Sequence, residues 1–206
     1  MKSIILLLTF VLISLFSVSQ NHKRYGIDTV EDVPKGLKIG DMAPDFSGTN
    51  QNGEMISLSK SLEKGKVVLI FYRGYWCPVC NRYLKQYQDS LDLIIAKGAR
   101  IIAVTPEQEE GLEMTIDNIK PGFDIISDKN NHIQKKYDVL FKVTEPYTQM
   151  IEDKLFANIA ENNGMDEAFL PVPATFIIDK DGEIEYVQFD TNYRNRATVK
   201  AILSNL

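Results

Sequence analysis

Cysteine is scarce in this 206-residue sequence: Cys77 and Cys80 are the only two, and they stand one Cys-x-x-Cys unit apart. A pair that close encloses almost no chain, so bridging it would restrict the unfolded state very little. That excludes a framework of structural disulfides, and the pair reads as working chemistry. Histidine is just as sparse. His22 and His132 have no ligand spacing to the cysteines, so a four-ligand zinc site lacks its ligands; capture of a soft metal by the two thiols alone is the minor alternative. A basic stripe is also missing. Lys and Arg number 23 against 28 Asp and Glu and are scattered along the chain, giving a net charge of −5, so no nucleic-acid partner is expected. The N-terminal apolar run, Ile4 to Val18, falls short of the ~20 residues needed to span a bilayer.

That run has another use. Met1-Lys2 supplies a positive start, and Ser17-Val18-Ser19 supplies a small-residue exit before the polar stretch Gln20 to Arg24. These are the parts of a secretory signal peptide. Residues 1–19 are expected to be a cleaved signal, which sends the protein to the periplasm or cell envelope. Membrane contact then arises only through an uncleaved signal. Residues 20–38, with Pro34 and Gly36 and no periodicity, are expected to be a linker, and 39–206 to form one domain.

Within that domain, Lys66 to Tyr72 is a short β-branched apolar run, the pattern of a strand buried on both faces. Gly74 breaks it. Pro78 then opens a helix whose apolar residues Val79, Tyr83, Tyr87, Leu91, Ile94 and Ile95 recur at helical spacing up to Gly98. Arg100 to Val104 reads as a second strand, Glu107 to Ile119 as a helix, and Phe123 to Ile126 as an extended piece. Lys129 to Tyr137 and Tyr147 to Ile159 read as helices. Thr175 to Ile178 is a third strand, the turn Asp179 to Gly182 leads into a strand Glu183 to Phe189, and Thr198 to Leu203 is a closing helix. The alternation predicts an α/β fold with a central mixed sheet flanked by helices. Reactive groups are then expected beyond the carboxyl ends of the parallel strands.

Arg73 to Cys80 follows one such end. A thiol at a helix N-terminus faces unpaired N–H groups and a partial positive charge, which lowers its pKa and makes it reactive. A second thiol one turn later can attack what the first one binds. Trp76 beside the pair is a candidate to shield it and contact substrate. Arg73 is a candidate for electrostatic support, with a solvated surface charge as the alternative. Glu107, just past the second strand, could reach the site and move protons, or be a first-turn carboxylate favoured by the helix dipole. Tyr75 is placed to shape the rim.

Three stretches carry a resemblance: Gly40 to Phe46, Phe71 to Cys80 and Pro171 to Asp179. Through them the chain, from about Ile39 to Ala197, resembles the thioredoxin superfamily, in its bacterial peroxiredoxin-like branch (alkyl hydroperoxide reductase and thiol-specific antioxidant, or redoxin, domain). The resemblance implies a thioredoxin-like fold, no cofactor, a cis-Pro173 facing the cysteines, and a Val172 backbone that pairs with a bound substrate strand. It also implies recycling by a thiol reductant. Two chemistries occur in that branch. Matched onto the peroxidase motif, Cys80 takes the attacking position, but Cys77, Arg73 and Pro173 replace the expected Thr, Pro and later Arg. The main expectation is therefore thiol-disulfide exchange with protein disulfides, with Cys77 as the exposed attacking thiolate and Cys80 resolving. The alternative is a hydroperoxide-reducing thiol peroxidase with Cys80 attacking and Cys77 resolving. The segment 144–170 could form a rim that selects partners or simply pack an apolar stripe.

Overall fold

The computed structural model describes residues 22–206; the expected signal, 1–19, lies outside them. The chain opens with a small hairpin, β1 (Ser47–Thr49) and β2 (Met55–Ser57), followed by α1 (Leu58–Leu62). The strand β3 (Lys66–Phe71) leads into α2 (Pro78–Asp89) and α3 (Leu91–Ala96), and then β4 (Ala99–Thr105), α4 (Glu109–Ile119) and β5 (Asp124–Ser127). After α5 (His132–Lys136) come β6 (Leu140–Lys142), α6 (Glu145–Leu155), α7 (Ile159–Asn162) and β7 (Phe169–Pro171). The strands β8 (Ala174–Ile178) and β9 (Ile184–Phe189) and the helix α8 (Val199–Ser204) complete the chain.

Five strands form the central sheet in the order β5-β4-β3-β8-β9. β3, β4 and β5 run parallel, while β8 and β9 are antiparallel additions. The expected fold class therefore holds. Its cause is visible in β3, the middle strand. Side chains of a strand alternate between faces. Val68 and Ile70 pack with Leu84 and Tyr87 of α2, whereas Val67, Leu69 and Phe71 pack with Leu58, Tyr137 and Phe176 on the other side. A strand covered on both faces needs apolar residues at every position, hence the unbroken run. The turn before β9 is held as expected: the Asp179 carboxylate accepts N–H bonds from Asp181 and Glu183.

Several expectations need correction. The long helix after Pro78 is two helices, because Ser90 leaves helical geometry (φ −113°, ψ 11°). The break shifts the helical phase: Leu91 and Ile94 stay buried while Ile95 turns to solvent. The helix expected from Glu107 starts at Glu109, so Glu107 is not a first-turn carboxylate. The helix expected over Tyr147 to Ile159 ends at Leu155, and Ile159 opens a separate short helix. β6 and β7 pair antiparallel; each is three residues long, too short to show a period in sequence.

The stretch 22–38 is no free linker. Ile27 is fully buried and Tyr25 nearly so, both among core residues. Gly26, at φ +88°, lies so close to Tyr147 that an added Cβ would stand 2.8 Å from its ring, and the Gly26 carbonyl accepts the Thr144 N–H at 2.9 Å. Polar composition hid two apolar anchors. Replacing Ile27 by Ala should therefore lower the free energy of unfolding by about 2–5 kcal/mol in chemical denaturation; a stability equal to wild type would mean that the segment does not belong to the core.

Candidate redox site

The site begins where β3 ends. The Tyr72 N–H still donates to the Val104 carbonyl at 3.1 Å, after which the chain turns away through Arg73 to Trp76. The turn is closed by the Cys77 N–H donating to the Gly74 carbonyl at 3.1 Å. Gly74 has φ +154°, and a Cβ there would lie 2.4 Å from the Glu107 carboxyl and 2.6 Å from the Trp76 indole nitrogen. Only glycine fits that close approach. Cys77 then caps α2. Its backbone is extended, its Sγ accepts the Cys80 N–H at 3.3 Å, and Pro78 occupies the first turn. A sulfur thus fills the place usually taken by a Ser, Thr or Asp oxygen. Both cysteines are free thiols, and both are buried, at 0% and 1% exposure.

Two arginines address the two sulfurs. Arg73, 3% exposed, donates to Cys77 Sγ at 3.2 Å and to the Tyr147 hydroxyl at 2.7 Å. Its guanidinium lies 3.7 Å from the Tyr193 ring centroid and 5.1 Å from that of Trp76. Arg196, from the loop between β9 and α8, reaches Cys80 Sγ at 3.5 Å and is braced by donating from Nε to the Tyr193 carbonyl at 2.6 Å. Among the described residues neither arginine is in a salt bridge, so their charge is left to act on the sulfurs.

The two thiols are driven apart in acidity. Burial pushes Cys80 up, but it is outweighed by the hydrogen bond from Cys77, the charges of Arg196 and Arg73, and a hydrogen bond from the Arg73 backbone; the thiol stays well below the usual cysteine range. Cys77 moves the other way. Burial, its hydrogen bond to Cys80 and the charge on Cys80 hold it well above that range, despite Arg73. Of the two thiols, Cys80 is therefore the more acidic and Cys77 the less. Glu107 is fully buried. Burial chiefly raises its carboxyl to about 8, against hydrogen bonds from the Tyr75 N–H and the Thr105 hydroxyl and with help from the Cys80 charge.

A family model described as the AhpC/TSA family matches residues 39–187. The chain belongs to the AhpC/TSA family. Its relatives include Peroxiredoxin Q, chloroplastic, of Triticum aestivum, 27% identical over 81% of this chain and 67% of that one. Peroxiredoxin Bcp of Escherichia coli is 24% identical over 79% of this chain and 92% of that one. Among solved structures, Peroxidoxin BcpB from Mycobacterium tuberculosis shares the fold with a TM-score of 0.63 and 19% identity, over 82% of this chain and 96% of that one. The expected membership of the thioredoxin superfamily holds, and so does the expectation of a redox enzyme.

Against this AhpC/TSA framework the individual residues can be placed. Cys77, Cys80, Arg73, Trp76 and Glu107 converge as the sequence suggested, but not in the expected states. Cys77 is buried where an exposed thiolate was expected, and Arg73 is no surface charge. Trp76 is buried, which suits it to cover the thiols. Val172 and Pro173 depart from the implied docking strand. Among the described residues there is no cis peptide, so Pro173 is trans. The Val172 N–H donates to the Val139 carbonyl at 2.7 Å, because the end of β7 continues its pairing next to β6; that donor is not free for a substrate backbone. Arg196, Tyr147 and Tyr193 were missed. Arg196 lies 116 positions from Cys80 in sequence, and no local pattern marks it. Tyr147 shows in the sequence only as part of an apolar stripe.

If the arginines hold the thiolate, a Cys77→Ser protein, which keeps a hydroxyl donor, should show thiolate ultraviolet absorbance titrating below the ordinary cysteine value of about 8.5. Adding Arg196→Gln should move that midpoint upward, so that thiolate is lost sooner as pH falls. A midpoint at or above about 8.5 that ignores Arg196 would refute the assignment.

Proposed function

We propose that this protein is a thiol peroxidase of the Bcp and peroxiredoxin Q type that reduces hydroperoxides with Cys80 as the attacking sulfur. The observation that carries this reading is the setting of the two sulfurs: Arg196 reaches Cys80 Sγ at 3.5 Å, Arg73 donates to the neighbouring Cys77 Sγ, and Cys80 is held below, Cys77 above, the usual cysteine range. The alternative weighed from sequence is thus preferred over thiol-disulfide exchange led by Cys77.

The chemistry follows from the arrangement. Cys80 thiolate attacks the terminal oxygen of the hydroperoxide, the O–O bond breaks, and the departing alkoxide or hydroxide takes up a proton. Guanidinium groups fixed beside the sulfurs stabilise the charge that develops on the oxygens. Tyr147 and Tyr193 hold Arg73 in that position before substrate arrives, so little reorganisation is needed. Cys80 is left as a sulfenic acid. The Cys77 thiol, one helical turn away, attacks that sulfur, water leaves, and a Cys77–Cys80 disulfide forms. A thiol reductant returns the disulfide to the dithiol by exchange through a mixed disulfide. Export to the periplasm or cell envelope is part of the proposal and rests on the signal-like residues 1–19.

Peroxide consumption tests the roles. Cys80→Ser should react with hydrogen peroxide no faster than protein without a reactive thiol. Cys77→Ser should oxidise once per chain at near wild-type speed and then stop, with Cys80 as a sulfenic acid. Loss of the first oxidation in Cys77→Ser, together with its survival in Cys80→Ser, would reverse the assignment.

A further inference from the structure

The site contains one buried carboxyl that the reaction above does not use. Glu107 stands two residues after β4, at the same end of the sheet as the loop that carries the cysteines. Its backbone is fixed: the carbonyl accepts the Ser127 hydroxyl and the N–H donates to Thr105 Oγ1. Its carboxyl enters the active loop, where Oε2 accepts the Tyr75 N–H at 2.9 Å. Oε1 has no partner, nor does the Trp76 indole nitrogen that borders the same space above Gly74. Two glycines leave room for this carboxyl: a Cβ on Gly111 of α4 would lie 2.9 Å from it, and one on Gly74 2.4 Å.

An ionised carboxylate buried without a cation is costly, and among the described residues Glu107 has no salt-bridge partner. Cys80, in contrast, has two guanidiniums near it. The groups facing Glu107 can be named element by element. Tyr72 comes from just after β3, Cys80 from α2, Thr105 from β4, Gly111 from α4, Ser127 from β5, and the Tyr75 N–H and the Trp76 indole from the loop. Burial holds the Tyr72 phenol far above its titration range, so it stays neutral. Cys80 is then the one charge whose gain or loss Glu107 feels, and the coupling is reciprocal.

We propose that Glu107 is the redox-linked proton store of this site, protonated while Cys80 is a thiolate and ionised once the charge on Cys80 has been discharged. The proposal rests on Cys80 being the thiolate of the pair. In the peroxidase cycle it closes the proton balance. Cys80 thiolate, a hydroperoxide ROOH and the Glu107 carboxylic acid give Cys80 sulfenic acid, the alcohol ROH and the Glu107 carboxylate. Sulfenic acid and the Cys77 thiol give the disulfide and water, with no net proton. A dithiol reductant is oxidised to its disulfide as it restores two thiols, and the proton that Cys80 then sheds returns to Glu107. The pocket holds one negative charge throughout, on sulfur when reduced and on the carboxyl when oxidised. Glu107 does not touch the reacting sulfur; it is a positioning residue that also steadies the loop through Tyr75.

The test is infrared difference spectroscopy of the full protein near neutral pH, reduced with a dithiol and then oxidised with diamide. The carbonyl band of a protonated carboxyl should be present in the reduced protein, weaken on oxidation, and return on re-reduction. It should shift on carbon-13 labelling of glutamate and be absent from Glu107→Gln, which keeps an oxygen acceptor for the Tyr75 N–H. The labelled wild type decides the matter even if that variant folds poorly. A glutamate carboxyl band that is unchanged between the two states, or the same difference signal in Glu107→Gln, would overturn the proposal. Because diamide, not peroxide, is the oxidant, a slow reaction with hydrogen peroxide would count against the peroxidase reading alone.

Discussion

The negative charge proposed for the buried Cys80 sulfur is the constraint to which the rest of this structure answers. Removing an ion from water costs several kcal/mol even after relaxation. The N-terminus of a helix returns only about 0.3–1 kcal/mol in ordinary settings, and up to ~2 in favourable buried ones. The helix end alone cannot keep Cys80 ionised, and the deciding contributions are the arginines and the hydrogen bond from Cys77. Each arginine is in turn held by aromatic neighbours. Arg73 is fixed by Tyr147 and Tyr193, and Arg196 by the Tyr193 carbonyl. Tyr147 sits on α6, against Gly26 of the first described segment. Tyr193 packs edge-on to Tyr25 at 5.9 Å. Segments from near both ends of the described chain thereby meet around Arg73.

The replacements at the family positions form a consistent set. Pro173 stands where the resemblance expects an arginine, and Arg73 where it expects a proline. The cations of this site come instead from the loop before α2 and from the loop after β9. The sulfur of Cys77 stands where a threonine hydroxyl is expected, and it does two things a hydroxyl could share only in part. It caps the helix by accepting the Cys80 N–H, as a hydroxyl would, and it is a thiol able to close a disulfide with Cys80.

What the sequence revealed follows from how local each signal was. The run Val67 to Phe71 announced a strand covered on both faces, and the glycine, proline and cysteines after it announced a strand-turn-helix site. Those patterns span a few residues and survived. The acidity order of the cysteines was not legible, because it depends on Arg196, brought to Cys80 by the return of the chain after β9. Exposure misled in the same way: Cys77 at a helix start looked open, but Trp76, Arg73 and Tyr147 close over it. The stretch 22–38 looked like a linker because two buried residues among many polar ones leave no period. Glu107 was noticed for its place after a strand, yet its full burial became apparent only with α4 and the Gly74 turn around it.

The central claim is that a single buried thiolate, Cys80, does the attacking, and the pH dependence of its reaction with peroxide tests it most directly. Trp76, the sole tryptophan, adjoins the cysteine pair, so its fluorescence can follow the oxidation of reduced wild-type protein in rapid mixing. The account predicts oxidation much faster than that of a small free thiol, rising with pH through a midpoint below the ordinary cysteine value of about 8.5 and already near its plateau at neutral pH. A rate no greater than that of a free thiol, or one still climbing through a midpoint above about 8.5, would contradict it.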